Sequence, residues 1–432
     1  MSDRQQKAMM FTVAVAALGY FVDLFDIVLF GVVRVASLND LGITGAANTD
    51  WGIRLLNLQM IGMLIGGIAW GVVGDKLGRR TALTATILLY SLANIANGFV
   101  TTVDQYALLR FIAGVGLAGE LGAGVTLVSE ALPPNRRGYG TTLIAFLGLL
   151  GALTASYVGG MFAWRTAYIV GGSMGLVVLC GRYFGMAESQ MFAGGESHDR
   201  GNLRTLFGNG GTLIKFLAVI AVGVPIWFVS ALFVNLAPEM GRTLELTGPL
   251  SVGEVLRWQS FGLAAGTVLT GLIGEKLQSR KTVLFACLVL ITLLIGVLLS
   301  SQGATPKTYC MLMLGMGLAQ GYWTPFITLA AEQFGTNIRA TVATSAPNFV
   351  RAMTVPVTLG WHALIPLVTG SGAVVVLGAV CLGLAFISLL MLDESYGKNL
   401  DYVEEVLTAR KARELLQERR AARLRERASA GT

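Results

Sequence analysis

Asp23 and Asp26 stand three residues apart inside one apolar run, and Arg110, Glu120, Arg257 and Arg351 interrupt three others. A charge at the centre of a bilayer costs about 2.5–3.5 kcal/mol even on a lenient insertion scale, so such residues need partners or a wet cavity. Their types suggest two chemistries. A carboxylate beside a guanidinium stays charged, and takes a proton when the guanidinium leaves or water is excluded, which makes a coupling switch. An arginine deep in a span presents a cationic fork that suits a carboxylate or a phosphate. His198 lies outside the apolar runs and His362 near the outer end of the run that holds Arg351, and Cys180, Cys287, Cys310 and Cys381 are scattered singly. Neither a histidine relay, a metal site nor a disulfide framework is expected, and no nucleotide or nucleophile motif appears.

The elements that hold these charges are membrane spans. Hydrophobic residues make up 54 % of the 432-residue chain, and apolar runs of about 20 residues, the length that crosses a bilayer core, recur throughout. They predict twelve helices at 10–33, 52–74, 81–101, 105–128, 139–161, 165–185, 213–236, 253–274, 282–301, 308–331, 341–367 and 372–392. At 1.5 Å per residue, Asp26 and Arg110 lie roughly 10 and 8 Å from the same end of their spans, close enough to pair. Asp23 and Arg351 fall near the midplane. Glu120 is about 15 Å along its helix from Arg110, too far to neutralise it directly. Arg351 is therefore a substrate anchor or the partner of an acid such as Asp23 or Glu120. Glu120 is expected to brace its helix against span 2 or 11, or to take part in coupling. Nearby Asn348, with Gln320, Tyr322 and Trp323 in span 10 and Trp227 in span 7, has the residue types that shape a pocket. The same types also fill space between helices.

The net charge of +7 does not imply nucleic acid, because the basic residues sit between spans. Their bias places both termini in the cytoplasm and the first span as retained, not cleaved, in a multi-pass protein of the cell inner membrane. Arg34 belongs to the few basic residues assigned to the outer side.

The chain reads as duplicated. GVVGDKLGRR (71–80) and GLIGEKLQSR (271–280) share Gly71/Gly271, Lys76/Lys276 and Arg80/Arg280, with Asp75 answered by Glu275. At nearly the same offset, SEALPPNRRGYGTT (129–142) and AEQFGTNIRATVAT (331–344) share Glu130/Glu332 and Arg137/Arg339. Two six-helix halves of like orientation follow, 1–185 and 213–392, joined by a polar linker at 186–212 and trailed by a charged helical tail at 393–432. Gly62/Gly66 and Gly67/Gly71 repeat the four-residue step that lets helices approach closely. The loop charges Asp75, Lys76, Arg79 and Arg80, with Gly78 making the turn, are either positive-inside decoration or a latch in which the acid meets a helix end or arginine of the opposite half.

The 71–80 pattern resembles the loop 2–3 signature of the major facilitator superfamily, with Lys76 where Arg is usual. Trp164-Arg165, Glu188-Ser189, EQFGTNIRAT and DESYGKNL are similar to other segments of that superfamily, so the likeness covers about residues 10–402. It implies two six-helix bundles around a cavity and alternating access, with a cytoplasmic gate at Gly71, Asp75, Lys76, Gly78, Arg79, Arg80, Glu130, Arg137, Glu275, Lys276, Arg280, Glu332 and Arg339. LLRFIAGVGLAGELGAGVTLVSEALPPNRRG (108–138) is similar to helix 4 of the metabolite:proton, sialate or lactate:proton and phosphate:proton symporter branches, with Ala118 replacing a Gly. FDIVLFG (25–31) resembles their helix 1. By that match Asp26 couples the proton and Arg110 tunes it. The residues themselves leave Asp23 as a second protonation or substrate site, or as a polar group lining the cavity, and leave Asp26–Arg110 as a switch or as a permanent pair that fixes helices 1 and 4.

These readings predict an all-α membrane protein, not an enzyme, that symports protons with a small mono- or dicarboxylate as a monomer, using no cofactor beyond the proton gradient. The alternative is an exporter by proton antiport. GALTASYVGG (151–160) resembles the antiporter motif of span 5, but Ala155 and Ser156 stand where Gly and Pro belong.

Overall fold

A bilayer offers backbone N–H and C=O groups no partners, so apolar runs of this length become helices that satisfy themselves internally. In the computed structural model, which describes residues 3–120, 122, 124, 137–185, 206–334 and 336–396, regular structure is helical. In chain order the helices are α1 (Asp3–Asp40), α2 (Ala46–Leu77), α3 (Arg79–Asn97), α4 (Val103–Leu117), α5 (Arg137–Met161), α6 (Trp164–Gly185), α7 (Gly210–Val229), α8 (Ala237–Thr243), α9 (Val252–Leu277), α10 (Arg280–Leu299), α11 (Pro306–Gln320), α12 (Trp323–Glu332), α13 (Thr336–Ala352), α14 (Thr354–Leu364) and α15 (Gly370–Met391). Among the described residues, five segments are long and apolar enough to cross a membrane by length and composition: Val13–Asp40, Ala46–Gly74, Gly210–Asn235, Arg280–Leu299 and Gly370–Met391.

Starts and breaks follow the sequence. The side chains of Thr102, Asn209, Ser279, Thr305 and Thr369 accept from early backbone N–H groups of α4, α7, α10, α11 and α15. Gly78, at φ +98°, separates α2 from α3, a conformation that a side chain would strain. Pro225 lies inside α7, and a π-helical stretch at Ser230–Asn235 follows it. The predicted spans at 308–331 and 341–367 are each interrupted, at Gly321–Tyr322 and at Met353. The predicted end of the first span at residue 33 is corrected: α1 continues to Asp40, because Arg34 is buried and paired, not placed in a loop.

Buried apolar residues form one cluster drawn from 206–392 together with Ile53, and another running from Val22 to Tyr168. Polarity is inverted relative to a water-soluble protein. Arg34, Arg110, Arg182 and Arg351 are fully buried, whereas Val177, Leu272, Leu293 and Leu390 are exposed.

The duplication read from the loops has a counterpart in packing. A Cβ on Gly62 or Gly66 of α2 would meet the carbonyls of Phe111 and Val115 of α4 at 2.3 Å; on Gly262 or Gly266 of α9 it would meet those of Leu314 and Leu318 of α11 at 1.9 and 2.1 Å. In return, Gly114 faces the Gln59 carbonyl and Gly317 the Gln259 carbonyl. Of the second glycine pair, Gly67 faces Asn348, whereas a Cβ at Gly71 meets nothing within 4 Å among the described residues.

Candidate functional site

The deep charges meet on α1. Asp26 lies 3.6 Å from Arg110 of α4, the pairing that depth arithmetic predicts, and the guanidinium carbon sits 4.9 Å from the Phe30 ring and 5.6 Å from that of Tyr168. One turn away, Asp23 lies 3.8 Å from Arg351 of α13, whose guanidinium is 5.9 Å from the Trp227 ring of α7. All four ionic side chains are buried. Both Asp23 oxygens, and Nε and Nη1 of Arg351, have no hydrogen-bond partner among the described residues. Tyr20, one turn before Asp23, lies beside Arg351, Asp23 and Trp323. The sequence reading missed it, although its spacing to Asp23 puts both on one helix face.

Glu120 is placed as expected away from Arg110, and its partners correct the expected brace to span 2 or 11. Arg182 of α6 makes two bonds to it, at 2.9 and 2.6 Å, and the Thr86 hydroxyl of α3 a third at 2.8 Å. It thus joins α3 and α6. Arg182 was not singled out from the sequence. A lone cation near the end of an apolar run reads as an interfacial anchor, and only the third dimension shows its burial.

Gln320 and Tyr322 are framework groups here. Gln259 donates to Gln320, which donates to the Ile226 carbonyl, and the Tyr322 hydroxyl donates to the Val222 carbonyl. Trp323 stacks on Phe326 at 5.3 Å. The Asn348 amide donates to the Ala118 carbonyl at 3.0 Å, tying α13 to the end of α4.

Towards the end where α1 finishes, Arg34 Nη2 donates to both oxygens of Glu239 at 2.8 and 2.9 Å, and the Thr49 hydroxyl bonds the same carboxylate. Thr358 donates to Asn57 at 2.8 Å, and His362 lies 3.5 Å from Asp50. A cavity of about 610 Å³ there is lined by Asp50, Glu239, Arg242, Trp361 and His362 among others. Glu239 escaped sequence reading because it follows a span end. Pro238 one residue before it was the available signal of a short helix start.

Of the expected gate, Glu130 lies outside the described residues, as do the side chains of Asp75, Lys76, Arg79, Arg137 and Arg339. Arg80 donates to the Tyr183 carbonyl, and Lys276 is exposed. Glu275, the counterpart of Asp75 in the repeat, has as described partners Arg280, at 3.2 Å, and the Tyr396 hydroxyl, at 3.1 Å. The turn after α9 brings Arg280 back onto its own acid. Glu332 accepts from Ser395. Glu394 takes the Ser279 hydroxyl and the Arg280 and Lys281 N–H groups at the start of α10. Burial pushes that carboxyl up, but these hydrogen bonds outweigh it and hold it below the usual carboxylate range.

Comparison with known proteins adds relatives to this geometry. Residues 16–355 match the profile of the Major Facilitator Superfamily. The niacin transporter NiaP of Acinetobacter baylyi is 34 % identical over 162 residues, covering 37 % of this chain and 36 % of the relative, so that match spans little more than a third of the relative's length. The 3-(3-hydroxy-phenyl)propionate transporter of Escherichia coli is 27 % identical over 76 % of this chain and 81 % of its own. Among solved structures, a D-xylose-proton symporter superposes with a TM-score of 0.70 at 18 % identity, over 90 % of this chain and 99 % of that one, which shows the shared fold.

Proposed function

Because the chain belongs to the Major Facilitator Superfamily, and is thus a multi-pass membrane transporter and not an enzyme, we propose that it symports protons with a small organic carboxylate, an aromatic one by preference. In this reading twelve spans form two halves, 1–185 and 213–392, with linker 186–212 and tail 393–432, and both termini face the cytoplasm from the inner membrane. The repeated glycine seam supports the duplication.

The observation that carries the reading is Arg351, buried between the Asp23 carboxylate and the Trp227 ring with two nitrogens unbonded among the described residues. A guanidinium beside an aromatic face receives a carboxylate attached to a ring, by charge-assisted hydrogen bonds on one side and stacking on the other. The two relatives above carry names of aromatic carboxylates. Charge counting then requires a proton. Asp23, Asp26, Arg110 and Arg351 sum to zero; a bound carboxylate adds one negative charge to a buried site, where an uncompensated charge is costly. Protonation of Asp23 releases Arg351 to the substrate and restores neutrality, and the Asp26–Arg110 pair holds the second titrating acid. One proton accompanies each monocarboxylate. The antiport alternative gains no support, since α5 runs unbroken through Ala155 and Ser156.

The test pulses nicotinate, benzoate, 3-(3-hydroxyphenyl)propionate and succinate into lightly buffered, de-energised cells while external pH is recorded. An aromatic acid is expected to alkalinise the medium with wild-type protein and not with Asp23→Asn or Asp26→Asn. Empty-vector traces for the whole panel would overturn the reading.

A further inference from the structure

The described residues of α3 carry a buried polar face that the proposed function does not use. Thr86, Tyr90, Asn94 and Asn97 follow a 4-4-3 spacing that keeps them on one side of the helix, with Ser91 alongside, and all five are buried. At the Thr86 end the face meets Glu120, whose carboxylate holds both the Thr86 hydroxyl and Arg182. At the other end the Asn94 amide lies beside the Asp26 carboxylate. Tyr90 is within electrostatic reach of Glu120, Arg182, Asp23 and Asp26. The face runs where α3 is wedged most tightly: Gly116 of α4 packs on the Tyr90 backbone, and Gly175 of α6 on Ser91 and the Tyr90 ring. Gly19 of α1 closes the cluster over Arg182 and Glu120.

Buried polar atoms are normally hydrogen-bonded, and each exception needs a reason. Here the exceptions are contiguous. The Tyr90 hydroxyl, the Ser91 hydroxyl and both amide atoms of Asn94 and Asn97 have no hydrogen-bond partner among the described residues. In hydrocarbon, such a file is costly as packing and useful as a path, because hydroxyls accept one proton while giving another and amides orient bridging water.

We propose that this face is a proton relay from Asp26 to Glu120, running through Asn94, Ser91, Tyr90 and Thr86. The proton on the Asp26 carboxyl passes through water bridging these groups to the Thr86 hydroxyl, whose hydrogen bond delivers it to the Glu120 carboxylate. Asp26 is left as the anion that pairs with Arg110, and Glu120, neutralised, loosens from Arg182 and releases the proton at the end of the bundle where α6 finishes at Gly185. Tyr90 and Thr86 carry the proton; Asn94 and Ser91 position it. A second hydroxyl chain, Ser37–Tyr106–Tyr168, lies on the other side of Arg110, with Tyr106 and Tyr168 oxygens 2.6 Å apart. It leads away from Glu120, and no described acid ends it, so it serves as the control.

The inference rests on the proposed role of Asp26 as a titrating acid, and one measurement separates the two. The full chain in nanodiscs is followed by time-resolved infrared spectroscopy after photorelease of protons, reading the carboxyl C=O stretch that Asp26→Asn removes. Tyr90→Phe and Thr86→Val are each expected to slow protonation at least about tenfold, with the final amplitude kept, while Ser37→Ala leaves the rate unchanged; tenfold is about 1.4 kcal/mol of barrier. Retained amplitude shows that the variants fold. Wild-type rates in both Tyr90→Phe and Thr86→Val, or slowing by Ser37→Ala in their place, would overturn the relay alone. Absence of any band sensitive to Asp26→Asn would overturn the titrating role of Asp26 itself.

Discussion

Arg351 shows why residue type matters more than charge in a buried site. Its planar fork leaves Nε and Nη1 without a hydrogen-bond partner among the described residues while Nη2 lies 3.8 Å from Asp23, and its guanidinium sits 5.9 Å from the Trp227 ring; a lysine supplies the charge without the fork. Arg351→Lys is expected to lower the affinity for an aromatic carboxylate at least about tenfold, roughly 1.4 kcal/mol, as read by isothermal titration with the purified protein. Unchanged affinity would move the anion to another cation. Much of this centre was legible at the residue scale, because helical rise places Asp26 and Arg110 at nearly the same depth, where they can pair. Partners contributed by distant segments were not. Nothing in the sequence around Arg182 or Glu239 announces a neighbour 62 or 205 residues away, and a charge near the end of an apolar run has the same appearance whether it snorkels to the interface or turns inward.

Helices in this protein are held together where side chains are missing. Without a hydrophobic drive between spans, close approach and dispersion must do the packing, and Gly317 of α11 faces the Gln259 carbonyl of α9 with room for no methyl group: a Cβ would lie 2.0 Å from that oxygen. Gly317→Ala is expected to force α9 and α11 apart at a cost of about 1–3 kcal/mol, seen as a lower midpoint for thermal unfolding in detergent. Gly296→Ala, with open space at its Cβ position in α10, is expected to hold or raise the midpoint, since alanine is favoured over glycine within a helix by about 1 kcal/mol. Equal midpoints for the two variants would argue against the seam. The four-residue glycine step was legible in the sequence for α2, and at Gly62 and Gly66 it marks the contact with α4. Breaks in helices were less legible still. The interruption at Gly321–Tyr322 falls within one continuous apolar run, so hydropathy alone predicts a single span across it.

At the scale of the molecule, four contacts that cross between the N-terminal and C-terminal segments gather at one end, while the Asn348–Ala118 bond crosses away from it. Arg34 and Thr49 hold Glu239, Asn57 holds Thr358, and Asp50 faces His362, all at the end where α1 finishes. In the proposed alternating-access cycle, with this end on the outer side, that end parts to admit substrate, and the Arg34–Glu239 pair then breaks once in every cycle. Removing one partner of a buried ion pair strands the other and costs about 3–5 kcal/mol, which falls on the shut conformation and spares an open one where water solvates the remaining charge. Glu239→Gln therefore shifts the population towards opening at this end. Thr358, buried beside the latch, reports it. With Cys180, Cys287, Cys310 and Cys381 replaced by alanine and Thr358→Cys introduced, an impermeant maleimide is expected to label the cysteine at least about tenfold faster when Glu239→Gln is present, about 1.4 kcal/mol of population shift. Arg34→Met in the same background should speed labelling equally, because either change removes the same contact. Acceleration by one variant alone would show that the stranded charge, not the broken latch, sets the rate, and acceleration by neither would mean that closure at this end rests on the apolar packing around the pair.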